Sequence, residues 1–353
     1  MLIDEILARL PPIRPVDREW IARAEARQLS LTKPPGSLGR LEEIANRVAA
    51  IQETLTPTTD SAQIIVFAGD HGVTAEGVAP YPSAVTGQMV ANFLAGGAAV
   101  NALAAVADAG VTVVDIGVAS EAPPLGGVHG RRVARGTRNM VREAAMTPDE
   151  MLNAVVVGIE QGLGAAARVD MIGLGEMGIG NSTAASAITA ALTGLAPASV
   201  TGRGTGADDA MLQHKIAVIE EALRKRQADP RDGLDVLVKV GGLEIAGLVG
   251  VVLAGAATRR VVVTDGFIAT AAAAIAVGLC PAAGDYLFAA HRSSEPGHAA
   301  LLELIGQEPL LDLRMRLGEG TGAALAFGVI RAAVAVFTRT ATFASAGVSD
   351  KRA

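Results

Sequence analysis

Met171-Ile172-Gly173-Leu174-Gly175-Glu176-Met177-Gly178-Ile179-Gly180-Asn181-Ser182-Thr183 is the stretch on which the fold turns. Val169 to Ile172 reads as the end of a buried strand, and the alanine-rich run Ala184 to Leu192 reads as helix. Strand, glycine loop and helix, in that order, aim backbone N–H groups and a helix N-terminus at an anion, usually a phosphate. Gly173, Gly175 and Gly178 have the spacing of the dinucleotide fingerprint, which also requires an acid about 20 residues further on. Pro197 to Gly202 supplies none, and Glu176 sets a negative charge inside the loop. A phosphate site fits this loop better than a plain NAD site.

The same grammar repeats outward from that loop. Ile64 to Phe67 leads into Gly69-Asp70-His71-Gly72, Val111 to Val114 into Asp115-Ile116-Gly117, and Val169 to Ile172 into the opening loop. Val236 to Val240 precedes Gly241-Gly242-Leu243-Glu244, Val261 to Thr264 precedes Asp265-Gly266, and Tyr286 to Phe288 precedes His291-Arg292-Ser293-Ser294-Glu295. Apolar runs alternating with helical stretches predict an α/β fold: a parallel, roughly six-stranded sheet with helices on both faces. Ligands bind such sheets beyond the carboxyl ends of the strands, where all these polar groups would lie.

Outside residues 61–299 the pattern is helical. Ile3 to Leu10, Arg18 to Gln28 and Leu41 to Ile51 precede the sheet, with the rigid turn Lys33-Pro34-Pro35-Gly36-Ser37-Leu38-Gly39 before the third. Ala299 to Ile305, Leu310 to Leu317 and a long apolar helix from Ala323 to about Phe337 follow it, and Thr338 to Ala353 reads as a frayed tail. The expected organisation is a small helical domain from residues 1–60 and 300–353 beside a large α/β domain, 61–299.

Composition narrows the function. The chain has 353 residues, 19% charged and 50% hydrophobic, which is an ordinary globular balance. A net charge of -6 and 3% aromatics, with no basic patch, exclude nucleic acid as the natural partner. The single cysteine, Cys280, excludes disulfides and cysteine-rich metal sites, and no close-spaced histidine pair marks a metal centre. A cytoplasmic setting is expected, since the acidic start lacks the signature of a signal peptide. The longest uncharged stretch, Gly266 to Gly284, is mostly alanine and contains Pro281, so a buried helix is expected rather than a membrane span.

Several residues have two open readings. Glu319, between Gly318 and Gly320, is either a general base with a raised pKa or an acid at the start of the helix that follows. Glu176 is either a second active carboxylate or a surface acid on a turn. Lys215 is either a solvated helix lysine or part of a site with Gly202-Arg203-Gly204-Thr205-Gly206, a second glycine loop suited to phosphate or ribose. Ser293 and Ser294 at a strand end are placed to donate to phosphate. No Gly-x-Ser-x-Gly elbow supports a serine hydrolase.

Taken together, these motifs resemble those of one family. The set is Lys33 to Gly39, Gly69-Asp70-His71-Gly72-Val73, Tyr81-Pro82 with Gln88-Met89, Gly136-Thr137-Arg138-Asn139, Gly173 to Thr183, Gly241 to Glu244 and Gly318-Glu319-Gly320-Thr321-Gly322-Ala323. It resembles nicotinate-nucleotide–dimethylbenzimidazole phosphoribosyltransferase, in order from about residue 30 to 335. The resemblance implies a Rossmann-like large domain, a homodimer, no cofactor, and transfer of the phosphoribosyl group of nicotinate mononucleotide to dimethylbenzimidazole. It implies Glu319 as the base, with Glu176 and Lys215 in support. Gly175, Gly178, Asn181, Ser182, Thr183, Gly202, Gly204, Asp265, Ser293 and Ser294 would hold phosphate and ribose, and Tyr81, Gln88 and Leu317 the acceptor base. Ala79 and Ala290 stand where the family usually has serine, and Ala79 puts acceptor preference in question. The other readings are transfer to adenine or a phenol, an NAD-dependent oxidoreductase, and a nucleotide-binding protein without catalysis.

Overall fold

In the computed structural model, which describes residues 2–120, 126–204 and 206–349, a six-stranded sheet runs through the centre of the chain. Its strands are β1 (Ala62–Gly69), β2 (Ala109–Gly117), β3 (His129–Gly130), β4 (Met171–Met177), β5 (Val261–Thr264) and β6 (Leu287–Ala289). All neighbours pair in parallel, in the order β3-β2-β1-β4-β5-β6. The order reverses between β1 and β4, which pair from Ala62↔Met171 to Ala68↔Met177. Chain leaving β1 turns one way and chain leaving β4 the other, so a crevice opens beyond their carboxyl ends.

Small residues set how closely the helices cover this sheet. The helices Pro148–Ala166 and Leu243–Ala257 cross so closely that a methyl added at Gly158 would lie 1.8 Å from the Gly247 carbonyl oxygen. One at Gly250 would lie 2.1 Å from the Val155 carbonyl. Such contacts leave no room for a side chain, which accounts for the glycine and alanine richness of both helices. On the other face the helix Thr321–Arg339 packs against β4 and against the helices Arg40–Gln52 and Ala99–Val106. Arg331 fixes it there by donating to the carbonyls of Thr59 (2.9 Å), Asp60 (3.0 Å) and Asp108 (3.3 Å).

Among the described residues, two stretches are long and apolar enough to cross a bilayer, Thr321–Arg339 and Ala84–Val106. The first is the packed helix just described. The second is two helices, Ala84–Leu94 and Ala99–Val106, broken near Gly96, whose φ is 75°.

Three sequence expectations fail. Val236 to Val240 is not a strand but the end of the helix Gly233–Val240. Asp232 caps that helix by accepting from the N–H groups of Leu234 (3.0 Å) and Asp235 (3.2 Å), and Lys239 pairs with Asp235 at 2.8 Å. The sixth strand is instead His129–Gly130 at the opposite edge, too short to give a periodic signal. Leu310 to Leu317 is not helical either. It runs extended beside β6, with Leu310 and Leu311 donating to the carbonyls of Ala289 (2.9 Å) and Ala290 (3.0 Å). Finally, the tail is not frayed at residues 340–346: Thr32 donates to the Ala341 carbonyl at 3.0 Å, and Thr342 caps a short helix, Phe343–Ala346.

Candidate active site

Two glutamates meet at the crevice. Glu176, near the end of β4, is 5% exposed and accepts from Asn181 Nδ2 and from the backbone N–H of Glu319. Burial, then the charges of Asp265, Glu244 and Glu319, still raise its pKa well above the usual carboxylate range. Glu319 lies on a loop whose backbone is left-handed at three consecutive residues, Gly318 (φ 88°), Glu319 (φ 65°) and Gly320 (φ 90°). A Cβ at residue 318 would fall 2.2 Å from Glu176 Oε1, and one at residue 320 would fall 2.5 Å from Ile64 Cγ2. Only glycine fits on either side of Glu319.

A non-glycine residue in this conformation costs about 1–3 kcal/mol and persists only where its surroundings enforce it. Asp265, just beyond β5, does the enforcing. Its carboxylate accepts from the N–H groups of Gly322 (2.6 Å), Gly320 (3.0 Å) and Ala323 (3.3 Å), which pins the loop to the start of the helix Thr321–Arg339. Burial nevertheless raises the Asp265 pKa to about 7, against those three hydrogen bonds. Glu319 itself is buried, and its Oε2 has no hydrogen-bond partner. Burial raises its pKa; the Val100 N–H opposes this, and Asp265 reinforces it.

The phosphate candidates gather around a cation. Lys215, on the helix Asp209–Arg226, is 2% exposed and donates to Ser182 Oγ at 2.8 Å and to the Gly202 carbonyl at 3.3 Å. Burial lowers its pKa to about 8, against the opposing charge of Glu295. Ser182 and Thr183 lie in the first turn of the helix Asn181–Thr193, whose cap, Gly180, has φ 97°. That end presents backbone N–H groups and the positive pole of the helix. Gly175 and Gly178 let the chain pass closely, since their added Cβ atoms would meet the Glu319 carbonyl at 2.6 Å and the Gly69 carbonyl at 2.1 Å.

The second glycine loop closes this side. Gly204 donates its N–H to Glu295 Oε1 at 3.0 Å, and Arg316 donates to the Gly204 carbonyl at 2.7 Å. Thr205 lies outside the described residues. Ser293 is buried, with its N–H bound to His298 Nδ1 at 2.9 Å and its hydroxyl accepting from the Glu295 N–H at 3.3 Å. Ser294 is exposed and donates to the Arg314 carbonyl at 3.0 Å. Sequence reasoning missed the role of Glu295; an acid next to Pro-Gly at a strand end was the available signal.

The base-binding candidates are less gathered. Tyr81 and Leu317 are 51% and 55% exposed, and Gln88 is exposed at the mouth of a cavity of about 590 Å³. Asp70, Ala84, Gly87, Val118 and Arg132 also line that cavity, whereas Glu176 and Glu319 do not. The turn at Lys33 is held locally, by a 2.7 Å pair between Lys33 and Glu42. Among the described residues, no group of three His, Cys, Asp or Glu side chains is arranged to hold a metal ion.

Two buried glutamates at one end of a strand rim and a buried lysine under glycine loops at the other form a site suited to group transfer on an anionic substrate. Comparison with known proteins makes this specific. A family model described as "Phosphoribosyltransferase" (DBI_PRT) matches residues 13–348. The nicotinate-nucleotide–dimethylbenzimidazole phosphoribosyltransferase of Geobacter metallireducens is 55% identical over 97% of this chain and 98% of its own length. That of Chloroflexus aggregans is 54% identical over 96% and 97%. The crystal structure of CobT from Thermus thermophilus superposes with a TM-score of 0.90 at 46% identity, covering 94% of this chain and all (100%) of that one. The chain belongs to the nicotinate-nucleotide–dimethylbenzimidazole phosphoribosyltransferase family.

Proposed function

We propose that the protein transfers the phosphoribosyl group of nicotinate mononucleotide to 5,6-dimethylbenzimidazole, releasing nicotinate and α-ribazole 5′-phosphate for the nucleotide loop of cobalamin. The observation that carries this reading is Glu319, a buried carboxylate with one oxygen unpartnered, held on a strained loop against Glu176. A strained, pinned carboxylate of raised pKa is suited to removing a proton from a weakly acidic ring N–H.

In this reading Glu319 takes the benzimidazole N–H proton while the ring nitrogen attacks C1′ of the ribose. The C1′–N bond to the pyridinium breaks, and its electron pair returns to the ring, so nicotinate departs without needing a proton at that nitrogen. Glu176 and Glu319 face the positive charge that develops at the sugar. Lys215, Ser182 and the Gly202–Gly204 backbone hold the phosphate. Asp265 keeps the Glu319 loop in place, and Gln88, Tyr81 and Leu317 border the acceptor.

We also propose a cytoplasmic homodimer with a small domain from residues 1–60 and 300–353. Support for a second copy comes from the apolar stretch Ala84–Val106, only 28% of whose apolar window is buried, and from Val106, 87% exposed.

The test is chromatographic: purified protein, nicotinate mononucleotide and dimethylbenzimidazole, with nicotinate release followed over time. Release above a protein-free control is expected, and its absence would overturn the reading. Adenine and a phenol as acceptors in the same assay measure acceptor range, which Ala79 bears on.

A further inference from the structure

His71 and Glu244 form a buried pair that the transfer chemistry does not use directly. His71 Nε2 lies 2.7 Å from Glu244 Oε1, and the two residues are 2% and 0% exposed. Glu244 Oε2 has no partner. Burial alone would strip His71 of its proton, but Glu244 and Asp70 outweigh it and raise the histidine pKa. The histidine is thus favoured in its protonated form by the carboxyl groups around it.

Its surroundings link it to the reacting groups. A Cβ added at Gly180 would lie 3.0 Å from His71 Cβ, and one at Gly178 would lie 3.5 Å from His71 Cδ2. One at Gly242 would lie 2.5 Å from His71 Cε1. The imidazole thus packs directly against the Gly178–Gly180 turn. Gly180 caps the helix that begins with Asn181, and Asn181 Nδ2 donates to Glu176. Glu244 also acts at a distance, as one of the charges that raise the pKa of Glu176.

We propose that His71 and Glu244 are positioning residues of the transfer reaction, holding the Gly178–Gly180 turn and, through Asn181, the Glu176 carboxylate. The proposal rests on the phosphoribosyl-transfer reading. A buried ion pair is expensive to break from one side, because the remaining charge is stranded. A displacement of about 1 Å at a reacting group costs roughly 100-fold in rate.

The test uses the full chain with three variants, His71→Ala, His71→Gln and Glu244→Gln, each measured for melting temperature, kcat, KM for nicotinate mononucleotide, and pH profile. His71→Ala should lower kcat by roughly 10- to 100-fold with little change in KM. His71→Gln, which keeps a donor toward Glu244, should recover much of that loss. Glu244→Gln should move the acidic limb of the kcat profile to lower pH. It removes one of the charges that raise the Glu176 pKa, while Asp265 and Glu319 remain. A merely structural pair would lower the melting temperature and leave kcat and the pH limb of the folded variants unchanged, which overturns the proposal. If His71→Ala does not fold, the isosteric Glu244→Gln decides: an unmoved limb overturns it. A wild-type protein that releases no nicotinate sinks the transfer reading, and this proposal with it.

Discussion

The two ends of the strand rim are built alike and charged oppositely. Each has a glycine loop, a buried ionisable group and the start of a helix. At the Glu319 end the helix N-terminus is consumed internally, because Asp265 accepts the N–H groups of Gly320, Gly322 and Ala323. At the Lys215 end the helix Asn181–Thr193 has no side chain bonded across its N-terminus. One helix start is capped by a carboxylate; at the other, Asn181 and Thr183 turn their N–H groups onto the carbonyls of Gly178 (3.2 Å) and Gly180 (3.0 Å), with no side-chain cap. Burial acts in the same sense at both, raising the pKa of the two glutamates and lowering that of the lysine to about 8. In the proposed function, a positively charged leaving ring would lie toward the acidic end and a negatively charged phosphate toward Lys215.

Breaking the acidic pole should have the largest effect. Glu319→Gln keeps the size of the side chain and should lower kcat by roughly 100- to 10,000-fold, with nicotinate mononucleotide still bound; calorimetry beside the turnover assay checks both. Near-normal turnover would place the base elsewhere. Breaking the cationic pole comes next. Lys215→Ala should lose about 1.5–3 kcal/mol of charge-assisted hydrogen bonding, mostly as a raised KM for nicotinate mononucleotide, and less kcat than Glu319→Gln. Abolished turnover with binding intact would reverse the two roles.

Asp265→Asn replaces an acceptor of three N–H groups by an amide with one carbonyl. It should slow turnover about tenfold by loosening the Glu319 loop, without raising KM for the nucleotide as Lys215→Ala does. The smallest effect is a pH dependence. Burial lowers the Lys215 pKa, so the free enzyme carries that charge below about pH 8 and loses it above. The KM for nicotinate mononucleotide should therefore rise as pH climbs through 8, and this rise should vanish in Lys215→Ala.

What was legible in the sequence follows physical lines. Strands buried on both faces show as apolar runs, so β1, β2, β4, β5 and β6 stood out, as did the glycine loops after them. His129–Gly130 carries no such run, because an edge strand of 2 residues buries too little. The run at Val236 failed for the opposite reason: apolar residues clustered in a short amphipathic helix look like a strand unless Asp232 is recognised as its cap. Glu319 and Lys215 were singled out with two readings each, and the fold buries both, but the partners that shape them were not legible. Asp265 serves Gly320, beside Glu319, from 55 positions away, and Glu295 serves Gly204 from 91, and no local pattern announces contacts made by folding. The acceptor side was read only from resemblance, and Tyr81 and Leu317 remain open to solvent.

Asn181 and Ser182 are consecutive, yet the first binds Glu176 and the second Lys215. The opposite poles therefore hang from neighbouring residues on one rigid helical turn and cannot slide apart. Such a mounting acts as a ruler. In the proposed function it would fix the span between the anomeric carbon and the phosphate, so the protein should measure its donor by length. A nucleoside lacking the phosphate leaves one mark unread, and a diphosphate oversteps it; either should compete poorly with the monophosphate even when its ring is the same.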